Sequence, residues 1–314
     1  MLKQTIIKGL MTGLKTTWTL GKVIFSVTLI VTILQFTPVL PWIIQLISPI
    51  MGIFGLSGNA AIPLVLGNVL NLYAAIGAIL SLDLTVKEVF ILAMMLSFSH
   101  NLFIESTVAL KVGVKIWIVL AVRLGLAFLA GVVINFIWHG GSELAQYGMV
   151  PAVESQPETW SAIFLLGVEK ASFGVLQLAI IVIPLMIMIQ MAKDLKWLDS
   201  FSRAMAPVTR FLGMKENTSM TLASGLLFGL AMGSAVMIQA VEEDGVSRKD
   251  VTIAFIFLVA CHAVIEDTLI FIPLGIPVLP LFFIRIVTAV MLTLIIARLW
   301  ERSENVRRKE ATYI

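Results

Sequence analysis

Residues 96–107 read LSFSHNLFIEST and residues 258–268 read LVACHAVIEDT. Twice in one chain, a histidine is followed within five residues by a glutamate, in sequence that is otherwise apolar. The matches continue outward. Lys87-Glu88-Val89 stands 162 residues before Lys249-Asp250-Val251, as His100 does before His262 and Arg123 before Arg285. One slip inside that block brings Glu105 onto Glu266 and Thr107 onto Thr268. Upstream the spacing is 158: Pro49 with Pro207, Gly55 with Gly213, Asn59 with Asn217, and Gly67 with Gly225. Matched leucines between apolar helices are cheap, but His, Glu, Arg, Pro and Asn matched in one order are not. The chain is a duplication.

The apolar setting is that of a membrane. Hydrophobic residues make up 59% of the 314 and charged residues 13%, with a mean hydropathy of +1.00. Soluble domains sit near about 45–50% and 25%. A spanning helix needs about 20 apolar residues. The stretches 17–36, 60–80, 116–137 and 171–192 meet that need cleanly, and 218–241 and 281–300 meet it with polar interruptions. Charge orients them, because cytoplasmic loops are enriched in Lys and Arg. The N-terminus carries Lys3, Lys8 and Lys15, segment 193–217 carries Lys193, Lys196, Arg203, Arg210 and Lys215, and the C-terminus ends RSENVRRKE before its last four residues. The linker 138–160 carries Glu143, Glu154 and Glu158 without Lys or Arg, and segment 37–59 is uncharged. All of these loops fit if 89–113 and 251–279 are re-entrant hairpins. Each half then crosses three times, so the second half is inverted on the first, and both termini are cytoplasmic. Inverted repeats with discontinuous helices belong to secondary transporters.

The expected organisation is therefore all-α. It comprises an amphipathic N-terminal helix (1–16), a first repeat (17–137), a polar extracytoplasmic linker (138–160), a second, inverted repeat (161–300) and a basic cytoplasmic tail (301–314). The setting is a multi-pass protein of the inner or plasma membrane. Net charge is only +3, with no basic stripe interleaved with aromatics, which speaks against nucleic acid as a partner. The single cysteine, Cys261, excludes an internal disulfide. No GxxxxGK[ST], HExxH or GxSxG motif occurs, so neither an enzyme nor a resident cofactor is expected.

Candidate chemistry concentrates in the hairpins, since buried ionisable groups are costly in a membrane. A His and a Glu near one hairpin turn can face the same space, and His262 and Glu266 share a face if their segment is helical. The bland reading has each pair neutralise itself. Its recurrence in both hairpins favours a role facing substrate or ion, with Glu105, Glu266 and Asp267 coupling to H+ or Na+. Arg123 and Arg285 either snorkel to an interface or pair with a carboxylate. Asn68 and Asn71, three apart on an apolar helix, offer donors and an acceptor to a neutral polar ligand such as a nucleobase or sugar, or bond between helices. Gly225, Gly229 and Gly233 are spaced for close helix packing.

The blocks SHNLFIESTVALKVGVKIWIVLAVRLG and CHAVIEDTLIFIPLGIPVLPLFFIRIVT resemble the Gate (nucleoside recognition) domain group. That group includes concentrative nucleoside transporters, the membrane core of ferrous iron permeases and the spore maturation membrane proteins. The resemblance covers roughly 50–137 and 208–300. It implies an inverted repeat with substrate between hairpin tips and unwound helices, and a substrate site of Asn68, Asn71, Ser99, His100, Asn101, Glu105, His262 and Glu266. The chain departs from the group in lacking the permeases' GTP-binding domain, in placing Ser99 opposite Cys261, and in being shorter than the nucleoside transporters.

The leading expectation is a secondary permease for a small polar solute, for example one like a nucleoside, working by alternating access. One alternative is a divalent metal permease using His100, Glu105, His262 and Glu266 for Fe2+, Mn2+ or Zn2+. Another is a non-transporting scaffold in envelope or spore maturation. Partners in the first two readings are the solute or ion and the bilayer, and a homo-oligomer is open in each.

Overall fold

A computed structural model describes residues 2–148, 157 and 159–312. Glu154 and Glu158, used above to place the linker, lie outside the described residues, as do the side chains of the tail from residue 304 onward. Helices α1 (Leu2–Gln35), α2 (Val39–Gly52), α3 (Ala61–Val69), α4 (Leu72–Ile79), α5 (Val86–Ser99), α6 (Leu102–Lys111) and α7 (Ile116–Ile137) make the first half. Helices α8 (Trp160–Asp194), α9 (Trp197–Phe211), α10 (Ser219–Glu243), α11 (Arg248–Ala260), α12 (Glu266–Leu269) and α13 (Val278–Thr312) make the second. Among the described residues the protein is all-helical, and five runs are long and apolar enough to cross a membrane: Lys3–Gln35, Val86–Lys111, Ile116–Ile137, Trp160–Asp194 and Val278–Ser303.

The duplication is legible in the elements themselves. Starts of α1 and α8 and of α2 and α9 are 158 apart, as are the 3-10 turns Gly58–Ala60 and Glu216–Thr218. Starts of α5 and α11 and of α7 and α13 are 162 apart. The break between α3 and α4, where Asn71 is extended (φ −170°, ψ 170°), falls 158 before Gly229, whose φ of 73° and ψ of 175° interrupt α10. Each hairpin helix is opened alike, by the Thr85 hydroxyl accepting from Glu88 N–H and the Ser247 hydroxyl accepting from Asp250 N–H.

Three expectations are corrected here. The stretches 60–80 and 218–241 are not continuous spans, because each is broken near its middle. Segments 37–59 and 193–217 are not simple loops but contain α2 and α9, of 14 and 15 residues. At 1.5 Å per residue these reach only about 20 Å, short of the roughly 30 Å hydrocarbon layer. The third correction concerns Arg123 and Arg285. Both are wholly buried in protein, so neither snorkels.

Contacts divide the chain into two units that cut across its halves. The first comprises Met1–Phe103, Leu124–Asp194 and Glu266–Leu281; the second comprises Ile104–Arg123, Leu195–Ile265 and Phe282–Ile314. The hairpins are thus split at their tips: α5 belongs to the first unit and α6 to the second, while α11 belongs to the second and α12 to the first.

In the first unit α5 is apolar all round and buried from Val89 to Ser99, as a helix without a polar face must be. It packs with α3, α4 and the apolar side chains Ile270, Phe271 and Leu274. Alongside, α1 and α8 run antiparallel: Gly9 meets Ile187, Gly13 meets Ile183, Gly21 meets Val175 and Gly167 meets Leu29. A Cβ at Gly9 would stand 2.6 Å from the Ile187 Cα, so small residues set this approach. The described part of the linker is tied to the mouth of α5. Val86 N–H donates to Glu143 O, Lys87 N–H to Gly141 O, and the Tyr147 hydroxyl to Leu82 O. Burial pushes that phenol above its usual range.

Both units place a glycine where a leucine of the hairpin helix presses in. A Cβ at Gly67 would lie 2.4 Å from Leu96 Cδ2, and one at Gly225 would lie 2.6 Å from both Leu258 methyls. At Gly67 the added Cβ would also stand 2.9 Å from the Ala75 Cβ, which cannot rotate away as a leucine methyl can. Overpacking of this kind costs about 1–3 kcal/mol. Gly67→Ala should therefore lower the melting temperature of the detergent-solubilised protein by several degrees, and Gly125→Ala, with nothing within 4 Å, should not. Equal melting of the two variants would refute the close approach at Gly67.

Candidate functional site

A helix broken at membrane depth leaves backbone groups that lipid cannot satisfy. Both hairpins solve this in one way. After α5, His100 turns its Nδ1 back to Leu96 O at 2.7 Å, and Asn101, at φ 56°, donates its N–H to Gly67 O at 2.8 Å. After α11, His262 turns its Nδ1 to Leu258 O at 2.9 Å, and Ala263, at φ 41°, donates to Gly225 O at 3.1 Å. A carbonyl only accepts, so Nδ1 carries the proton in both rings and Nε2 is left to face outward from the backbone. Each histidine therefore both closes a helix end and presents one nitrogen.

In the second unit that nitrogen meets a carboxylate. Glu105, at the start of α6, lies 3.3 Å from His262 Nε2 through Oε1 and accepts from Arg123 Nη1 through Oε2 at 2.5 Å. Arg285 donates from Nη2 to the His262 carbonyl at 2.9 Å. All four side chains are buried. Glu105 is thereby held between the Arg123 guanidinium and the ring of His262.

In the first unit the glutamate of the second hairpin has a different neighbour. The Tyr73 hydroxyl, near the start of α4, donates to Glu266 Oε1 at 2.8 Å. Glu266 and the buried Asp267 open α12 together. Asn71 caps α4, its Oδ1 accepting from Ala74 N–H at 3.0 Å. Asn68 donates from Nδ2 to Leu64 O at 2.7 Å, while its Oδ1 is buried without a partner among the described residues. Ser99 donates back to Met95 O at 2.9 Å, a bond within its own helix.

The expected pairs within one hairpin do not form as read. His262 and Glu266 do not share a helical face, because residues 261–265 are not helical and α12 begins only at Glu266. Glu105 pairs instead with the histidine of the other hairpin. The first unit holds Asn68, Asn71, Ser99, His100, Asn101, Glu266 and Asp267; the second holds Glu105 and His262. Sequence reading saw Tyr73 among the polar side chains that follow Pro49 but gave it no role, its one signal being a phenol two residues after Asn71 in an apolar run. It also gave little weight to the Arg123–Glu105 bond, although an arginine seven residues into an apolar span needs a buried anion.

No solved structure matches the chain. It is 63% identical over 301 residues to the uncharacterized membrane protein YvoD of Bacillus subtilis (strain 168), with 96% of each chain covered. The family described as nucleoside recognition (Gate) matches at residues 17–115 and 175–277, one stretch in each half and together well over half of the chain. The duplicated, helix-breaking membrane protein described above belongs to the Gate family.

Proposed function

We propose that the protein is a secondary permease for a small polar solute of nucleoside-like chemistry, coupled to H+ or Na+ through Glu266. Membership of the Gate family supports a transport-related role. The observation that carries the coupling assignment is the Tyr73–Glu266 bond. A phenol can donate to a carboxylate or accept from a carboxylic acid, so Glu266 keeps its hydrogen bond in either protonation state. Arg123 can only donate, and it fixes Glu105 in one state. Of the two duplicated glutamates, Glu105 is the structural one and Glu266 the one free to change charge. Asp267 beside it favours a cation or a proton. Solute recognition falls to Asn68, because a buried carbonyl oxygen without a donor costs about 1–3 kcal/mol, which a solute hydroxyl or amide N–H would recover.

The test is uptake of a labelled nucleoside into proteoliposomes under an imposed pH or Na+ gradient. Glu266→Gln should abolish accumulation driven by the gradient while leaving exchange of internal for external solute. Asn68→Ala should raise KM about tenfold. Gradient-driven accumulation by the Glu266→Gln variant at the wild-type level would sink the coupling assignment. Accumulation of Fe2+, Mn2+ or Zn2+ but no nucleoside, lost in His100→Ala and His262→Ala, would move the metal permease to first place.

The structural glutamate makes a separate demand. Removing one partner of a buried pair costs about 3–5 kcal/mol because it strands the other charge. Arg123→Met should therefore destabilise the protein strongly in a thermal melt, and Arg123→Met with Glu105→Gln should recover most of the loss. A double variant no more stable than the single one would show that the pair does not act as a unit.

A further inference from the structure

Helix α1 carries polar side chains where its counterpart in the second half carries none. Thr17, Trp18, Lys22 and Ser26 stand 158 residues before Val175, Leu176, Ile180 and Pro184 of α8. At these turns α8 builds its side of the same antiparallel pair from apolar residues, so the pairing does not demand the polar ones. Trp18, Lys22 and Ser26 follow at i, i+4 and i+8, on one side of α1. Together with Thr17, Gly21, Phe25 and Val175 they line a cleft of about 530 Å³ within the first unit.

Two polar groups of that cleft are unanswered. Thr17 is 9% exposed, and its Oγ1 is buried without a partner among the described residues. A hydroxyl inside a helix can bond the carbonyl one turn back. Thr19 does so, donating to Lys15 O at 3.0 Å, and Thr17 does not. Lys22 holds its ammonium 5.9 Å from the centre of the Trp18 ring. No carboxylate pairs with it among the described residues, and α1 contains neither Asp nor Glu. Snorkelling toward the interface that Trp18 marks would satisfy Lys22, but it would leave Thr17 as it is. One occupant answers both if it brings anionic oxygens to Lys22 and Thr17 and an apolar tail to Phe25 and Val175. A phospholipid of net negative charge has both parts. In a choline lipid the phosphate is already paired with its own cation, so charge complementarity selects the anionic one.

We infer that the cleft between α1 and α8 binds one anionic phospholipid, its phosphate taking the Lys22 ammonium and the Thr17 hydroxyl and an acyl chain lying along Gly21, Phe25 and Val175. The site uses neither Glu266 nor Asn68 and stands whether or not the protein transports a nucleoside.

The test uses the full-length protein in nanodiscs of mixed phosphatidylglycerol and phosphatidylcholine, with retained lipid counted by native mass spectrometry. A cation beside an anionic headgroup is worth roughly fivefold in affinity, and a hydrogen bond to a charged oxygen at least as much. Wild-type protein should retain one phosphatidylglycerol in preference to phosphatidylcholine. Lys22→Gln with Thr17→Val should weaken that retention by about tenfold or more, while Lys22→Arg should keep it. Lys3→Gln with Thr12→Val removes the same groups from α1 outside the cleft and should change little. Thr17→Val alone should weaken retention without lowering the melting temperature in pure phosphatidylcholine, because it replaces an unbonded hydroxyl with a methyl of the same shape. A melting temperature that falls there instead would make Thr17 a packing residue and overturn its role as a donor. The inference fails if wild type does not prefer phosphatidylglycerol, or if the cleft and control double variants lose it equally. Oleate competing as well as phosphatidylglycerol would overturn the phospholipid as occupant.

Discussion

A backbone that breaks inside an apolar layer must find hydrogen bonds within the protein, and that requirement shapes each hairpin. The bond from Asn101 N–H to Gly67 O joins a hairpin tip to a second helix one residue before Asn68, and Ala263 N–H to Gly225 O does the same in the other unit. Such a bond needs close backbones, so residues 67 and 225 are glycines against which Leu96 and Leu258 press. It also needs a reversal after the histidine, which Asn101 and Ala263 make at positive φ. Asn is among the residues that tolerate this region. Ala263 is not, and its strain of about 1–3 kcal/mol is held by the N–H bonds of Ala263 and Val264 to Gly225 O and Leu226 O.

The charged chemistry rests on that backbone solution. Because Nδ1 of each histidine closes a helix end, each ring has a fixed orientation and one usable nitrogen. Glu105, placed one turn into its own limb, reaches His262 and Arg123. Glu266 has only begun α12 and reaches Tyr73. Two glutamates that descend from one ancestral position thus differ in what they can do. One is locked by a donor that cannot reverse its role, and the other is bonded to a hydroxyl that can.

Much of the fold was legible in sequence because duplication writes each rule twice. Pro49 and Pro207 lie at matched places inside α2 and α9, Gly55 and Gly213 follow those helices at positive φ, and Lys87-Glu88 and Lys249-Asp250 sit in the capped first turns of α5 and α11. Apolar runs were less informative. The run 60–80 has the composition of a span yet breaks at Leu70 and Asn71, where Asn71 caps α4 with its own side chain, a signal that the apolar count of the run conceals. Pairing was the least legible. Sequence proximity suggested that His100 answers Glu105 and His262 answers Glu266, but the limbs of each hairpin part at the tip and join different units. The distance between residues along the chain says nothing about such an exchange.

Divergence between the halves locates function better than their likeness does. Positions kept in both, such as the histidines and the glycines they lean on, are those the broken backbone demands of any such hairpin, so their presence argues for the fold alone. Positions that differ have been released from that demand. Asp267 against Ser106 and Arg248 against Val86 are such exchanges, and at the second the helix start is built alike in the two halves, by a hydroxyl cap, so the cap does not require the change. Both exchanges add charge, and a charge at or near an apolar layer is destabilising unless something answers it. At the mouth of α5 the first N–H groups are taken by the linker carbonyls of Glu143 and Gly141, and at Asp267 the added carboxylate lies beside Glu266, the glutamate that a phenol and not a guanidinium answers.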